Sequence, residues 1–322
     1  MVFIVGMERC FTTSLAQWMI DSRICDYFVD GIKEPSMFSS EPARALARWE
    51  RERRATDRWL LDASVSNAGS DEAFDAIHSI DDYRIVLSLR DQFERMVSAF
   101  RIYRALYGMD FHEAWNHPAS HWKLGNAATR ERLKNDSLAP ATLTPRAGAR
   151  HIFTHVRLTE IPPREATAEL ARDCERAVEA MQARRLPARV VYEWQHWERT
   201  GAFPVLSIVG SSYFAPVLAR LLARVDPRRV MVVTPAGATF AQGLRAAMER
   251  FLHVRAVDAG FGRLHGASTW CEEVPVPERA TARRLVSTEF DRDTNMVLDI
   301  LDRHPTVDTT LFDPSTLFRA TG

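Results

Sequence analysis

Val2-Phe3-Ile4-Val5-Gly6-Met7-Glu8-Arg9-Cys10-Phe11-Thr12-Thr13-Ser14-Leu15 is the stretch on which the fold turns. Four apolar residues ending at a glycine read as a short buried strand, and Leu15, Trp18 and Met19 then recur at helical spacing. Strand, turn and helix follow within twenty residues. In an open α/β sheet the loop between the first strand and its helix is where phosphates bind, because main-chain N–H groups and the helix dipole converge there. Thr12, Thr13 and Ser14 add hydroxyl donors, although the same three residues would serve simply as helix caps.

Further along the chain the pattern repeats. Residues 83–89, with Ile85, Val86 and Leu87 central, read as a strand, and Phe93, Met96, Val97, Phe100 and Tyr107 place a one-sided helix directly after it. Residues 59–63 and 230–234 read as further strands. Residues 41–58, 213–225, 244–251 and 284–303 read as helices, and residues 30–40 as an irregular loop crowded by Gly31, Pro35 and serines. Alternating strands and helices imply an α/β fold, a mainly parallel sheet covered on both faces. The 322 residues, 46% of them hydrophobic, suit one large domain. Residues 108–200, where Trp115, Trp122, Trp194 and Trp197 lie among prolines and histidines and residues 164–184 form a helical stretch, read as an insertion that covers a substrate. Residues 260–322 read as a closing loop followed by a last helix.

Acidic and basic residues number 42 each, so no net field draws the chain to nucleic acid or to an anionic membrane, and an anion site has to be local. Nearly all the cations are arginine, which singles out Lys33, Lys123 and Lys134 as the chain's lysines. The four cysteines, Cys10, Cys25, Cys174 and Cys271, have neither zinc spacing nor the density of a secreted disulfide scaffold. Together with the lack of a long apolar run or a basic leader, this leads to the expectation of a cytoplasmic protein without a metal or a membrane anchor.

Three segments carry a family resemblance. The first, Phe3-Ile4-Val5-Gly6 through Arg9, Cys10, Thr12, Thr13, Ser14 and Leu15, resembles the 5′-phosphosulfate loop of sulfotransferases that use 3′-phosphoadenosine 5′-phosphosulfate (PAPS). It carries Phe11 and Thr12 where a nucleotide kinase would carry the second glycine and the lysine of its phosphate loop, and Phe11 also stands where the sulfotransferases have glycine. The second, Arg90-Asp91-Gln92-Phe93-Glu94-Arg95-Met96-Val97-Ser98-Ala99-Phe100, resembles the family's 3′-phosphate motif, R-x-P-x-x-R-x-x-S-x-Y, with Gln92 for its proline and Phe100 for its tyrosine. The third, Lys33-Glu34-Pro35-Ser36-Met37-Phe38, resembles the K-E-P-x-x-F segment of the heparan-type and related bacterial branch.

The resemblance implies a P-loop-like sheet, PAPS as sulfuryl donor with adenosine 3′,5′-bisphosphate (PAP) as product, no metal, and a small-molecule or sugar acceptor. It implies that Arg9, Cys10, Phe11, Thr12, Thr13 and Ser14 line the phosphosulfate, that Arg90 and Ser98 hold the 3′-phosphate, and that Tyr213 and Arg263 lie near the nucleotide. Glu34 becomes the general base, with Lys33 and Arg9 absorbing charge on the leaving phosphate. His121 and His196 stand as alternative bases. A magnesium-dependent kinase and a catalytically inactive nucleotide-binding relative are the competing readings, and neither the acceptor nor the oligomeric state is written in the sequence.

Overall fold

The architecture comes from a computed structural model that describes residues 1–108, 185–201, 203, 207–235, 238–262 and 271–320. These residues form β1 (Val2–Gly6), α1 (Thr12–Asp21), β2 (Cys25–Tyr27), α2 (Met37–Ser40), α3 (Pro42–Glu52), β3 (Trp59–Asp62), α4 (Asp71–His78), β4 (Arg84–Ser88), α5 (Gln92–Gly108), α6 (Leu186–Thr200), α7 (Ala215–Leu222), β5 (Val230–Val233), α8 (Ala238–Leu252) and α9 (Val276–Arg303). They divide into two compact units. The first takes in residues 1–91, 214–266 and 292–318, and the second residues 92–213, 267–291 and 319–322.

In the first unit the five strands form one sheet in the order β2-β3-β1-β4-β5, with every pairing parallel. Its residues alternate between two cores. Phe3, Val5, Ile85, Leu87, Val230 and Val232 face a layer with Phe74 and Ile77 of α4 and Leu218 and Leu221 of α7. Val2, Ile4, Val86, Met231 and Val233 face Leu15 and Met19 of α1 and Leu244 and Met248 of α8. Each of these side chains is fully buried, worth roughly 1.5–3 kcal/mol apiece. Helices therefore lie on both faces, as the strand and helix alternation requires. α7 is held at its start by Asp293 of α9, whose carboxylate oxygens accept the Phe214 and Ala215 N–H groups at 2.8 and 3.0 Å.

Several boundaries differ from the sequence reading. β2 was not foreseen: it is three residues long and holds Asp26, too little apolar signal to register. α3 stops at Glu52 rather than running to residue 58, since beyond Trp49 the stretch offers no apolar stripe to bury. Tyr213 precedes α7 instead of opening it. Residues 186–200, read as irregular, are the helix α6. α9 begins at Val276, because Ala282, Val286 and Phe290 carry its buried stripe further toward the N-terminus than the polar composition suggests. The helix foreseen over 164–184 lies outside the described residues. No helix among the described residues is long and apolar enough to cross a membrane.

Candidate functional site in the first unit

β1 lies between β3 and β4, so the chain leaves the carboxyl end of β1 at the point where successive strands go to opposite sides. That is the crevice where open parallel sheets take ligands. The loop there is tightly held. Gly6 has φ +146°, and a Cβ at that position would meet the Ala68 side chain at 3.1 Å. Met7 N–H donates to the Ser88 carbonyl at 2.8 Å, Cys10 N–H to the Met7 carbonyl at 3.1 Å, and the Ser88 hydroxyl to the Cys10 carbonyl. Arg9 and Phe11 both occupy the left-handed region, with φ 67° and 61°.

Phe11, not a threonine or serine, is the residue preceding the first turn of α1, and no side chain caps the helix there. Thr12, Thr13 and Ser14 are the first three helical residues, so the capping role does not apply to them. The first turn holds no acidic residue, which leaves the positive end of the dipole uncompensated by side chains of α1. The Phe11 ring turns toward Arg90, whose guanidinium carbon sits 5.2 Å from the ring centroid, within cation–π range. Arg90 Nη1 also donates to the Arg9 carbonyl at 3.1 Å. The ring and the Arg9 carbonyl thus hold the strand-end arginine against the loop.

From the other side comes Lys33, only 7% exposed. Its ammonium pairs closely with Glu34, lies 3.4 Å from Thr12 Oγ1 and 3.5 Å from the Ala63 carbonyl, while its own carbonyl accepts the Ala63 N–H at 3.0 Å. Glu34 is 10% exposed in its side chain. One cation therefore joins the loop after β1 to the Glu34 carboxylate.

The turn beyond Glu34 is carried by serines. Ser36, with φ 53°, donates its N–H to Ser64 Oγ at 2.8 Å, its hydroxyl accepts Ser66 Oγ at 3.2 Å, and its carbonyl accepts Ser39 Oγ at 3.1 Å. Ser64 N–H in turn donates to Asp62 Oδ1 at 2.8 Å. Asp62 ends β3 fully buried, and its Oδ2 has no hydrogen-bond partner. Burial pushes its carboxyl up to about 6, with the Glu34 charge adding to the rise, while the Ser64 hydrogen bonds and the Lys33 charge oppose it. Tyr27 on β2 is pushed up to about 12 by burial first and then by the charges of Asp21, Cys25 and Glu34.

The first unit thus brings together Arg9, Cys10, Phe11, Thr12, Lys33, Glu34 and Arg90. Asp62 escaped the sequence reading, which took it as one more residue of the strand over 59–63; only the parallel register that sets it opposite Phe3 of β1 puts it beside the loop. Ser98 is half-buried on α5 and belongs to the second unit. Tyr213, also there, packs its ring against Trp194, Phe203 and Phe290 at centroid distances of 6.3, 5.9 and 5.9 Å. Arg95, the second arginine of the motif that begins at Arg90, is fully buried and ties α5 to the Ile208 carbonyl at 3.1 Å and to Ser212 Oγ at 3.2 Å. His196 is half-buried on α6 beside Tyr192. Arg263 and His121 lie outside the described residues. Among the described residues no group of three or more histidine, cysteine, aspartate and glutamate side chains could hold a metal ion.

No family model and no curated protein matches the chain.

Proposed function

We propose that the chain is a sulfotransferase that moves a sulfuryl group from PAPS to a hydroxyl or amine of a small-molecule or sugar acceptor, on a P-loop-like sheet in a cytoplasmic protein. The observation that supports it most is Lys33, which joins Thr12 at the anion-binding helix start to Glu34, the carboxylate it pairs with. An anion on the loop would meet the first-turn N–H groups of α1, the Lys33 ammonium and the hydroxyls of Thr12 and Thr13, a donor set that suits phosphate oxygens. Arg90, held against the loop by the Arg9 carbonyl and the Phe11 ring, adds a guanidinium whose fork matches a second phosphate. PAPS supplies the activated sulfuryl group, so the protein's own work is positioning and charge stabilisation.

Glu34 takes the proton of the attacking hydroxyl or amine as the new bond to sulfur forms. Lys33 holds Glu34 in place through its ion pair and neutralises charge gathering on the departing phosphate oxygen. Arg9 and Lys33 act on the leaving group, and Ser14 and Cys10 contribute main-chain groups of the loop.

Glu34→Gln tests the reading. Transfer from PAPS to an acceptor should fall roughly 10²- to 10⁴-fold, the usual range for loss of a general base, with PAP affinity retained. Full activity in the variant overturns the role of Glu34. Calorimetric titration with PAP, ATP and magnesium-ATP separates this reading from a kinase: tighter binding of magnesium-ATP than of PAP would sink the sulfotransferase.

A further inference from the structure

We infer that Asp62 is a positioning residue for the Lys33–Glu34 pair, anchoring the serine network that carries the turn after Glu34 and setting a second negative charge against that pair. The inference rests on the proposed activity for its kinetic consequences but not for its chemical ones. Three observations converge. The Asp62 Oδ1 accepts Ser64 N–H at 2.8 Å, and Ser64 Oγ accepts Ser36 N–H at 2.8 Å, so the chain from residue 34 to residue 36 is hung from β3 through this carboxylate. The next residue, Ala63, takes hydrogen bonds with both the main chain and the ammonium of Lys33, at 3.0 and 3.5 Å. Asp62 Oδ2 is buried without a hydrogen-bond partner, an arrangement that costs stability and is kept out of ordinary packing for that reason.

The charged groups that face Asp62 are Glu34, which disfavours its ionisation, and Lys33, which favours it. Coupling of charges is mutual. An ionised Asp62 sets a second buried negative charge beside the Lys33–Glu34 pair. Since burial sets the Asp62 carboxyl at about 6, this charge appears as the pH rises through that value. Asp62→Asn keeps an acceptor for Ser64 N–H but removes the charge, whereas Ser64→Ala leaves the carboxylate in place but removes the hydroxyl that holds Ser36 and bonds Asp62.

The experiment compares wild type, Asp62→Asn and Ser64→Ala. In sulfuryl transfer from PAPS, the ratio of wild-type to Asp62→Asn kcat should climb from near unity at low pH to on the order of tenfold at high pH, with its midpoint at about 6 and KM for PAPS unchanged. Ser64→Ala should lower kcat at every pH. An activity-free arm measures acylation of Lys33 by mass spectrometry, with Lys123 and Lys134 as references within the same chain. Lys33 should react several-fold faster in Asp62→Asn than in wild type at pH 8. A pH-independent activity ratio, or unchanged Lys33 acylation, overturns the inference. If wild type transfers no sulfuryl group from PAPS to any acceptor, the proposed function fails while the acylation arm still decides the role of Asp62; should Asp62→Asn not fold, Lys33 acylation in wild type across pH 6, compared with Ser64→Ala, carries the same test.

Discussion

Glu193 and Asp62 are both fully buried carboxylates, one in each unit, and the protein treats them in opposite ways. Glu193 Oε1 accepts Arg189 Nε at 2.8 Å and Ile208 N–H at 2.9 Å, and its Oε2 accepts the Ser207 hydroxyl and the Val209 N–H, the latter at 2.8 Å. Both oxygens are saturated, and the pair binds α6 to the chain at 207–209. Asp62 has its Oδ1 engaged and its Oδ2 bare, beside a lysine and another carboxylate. A buried carboxylate with every lone pair satisfied is a structural rivet; one left half-satisfied beside other charged groups is a candidate functional position.

That contrast can be broken. The largest effect should come from Glu193→Ala, which strands the fully buried Arg189 and removes the acceptor of two main-chain N–H groups. Breaking a buried pair in this way costs about 3–5 kcal/mol, read as a fall in the urea midpoint. Asp62→Asn should go the other way. The folded chain raises the Asp62 carboxyl from its usual 3.8 to about 6, so the folded state binds the proton more tightly and wild type loses stability as the pH climbs between those values. The stability of the variant relative to wild type should thus improve by up to about 3 kcal/mol between pH 4 and pH 8, checked by thermal or urea unfolding at both. A constant difference across that range would show that Asp62 titrates normally and remove the contrast.

Asp293 sharpens the comparison at the small end. It resembles Glu193 in giving both oxygens to main-chain N–H groups, but these are the two at the start of α7, the ordinary work of a cap. Asp293→Asn keeps one acceptor and should cost about 1 kcal/mol, read in urea unfolding. Of the three, only Asp62 should alter activity as well as stability.

The sheet was largely readable because its signal is local. Val2–Gly6 and Val230–Val233 are unbroken apolar runs and Trp59–Asp62 and Arg84–Ser88 have apolar centres, as strands buried on both faces must. Loop residues such as Thr12, Lys33, Glu34 and Arg90 stood out by residue type and by their place after a strand. β2 was too short to be seen, and the start of α9 is hidden because a helix packed along a narrow stripe is polar elsewhere. Spacing cannot say where the Phe11 ring lies; in the fold it faces the Arg90 guanidinium, which comes from 79 residues further along the chain.

By itself the sequence determined four of the sheet's five strands, several of the helices between them and their alternation, because these depend on neighbours within a few turns of chain. Tertiary structure alone decided that Lys33 bridges Thr12 and Glu34, that Arg90 lies on the loop after β1, and that the buried Asp62 carboxylate stands near that pair. The reason is physical: the charge state and the reach of a side chain are set by what surrounds it in space, and the parallel register that places β3 beside β1 is formed only when the whole sheet is.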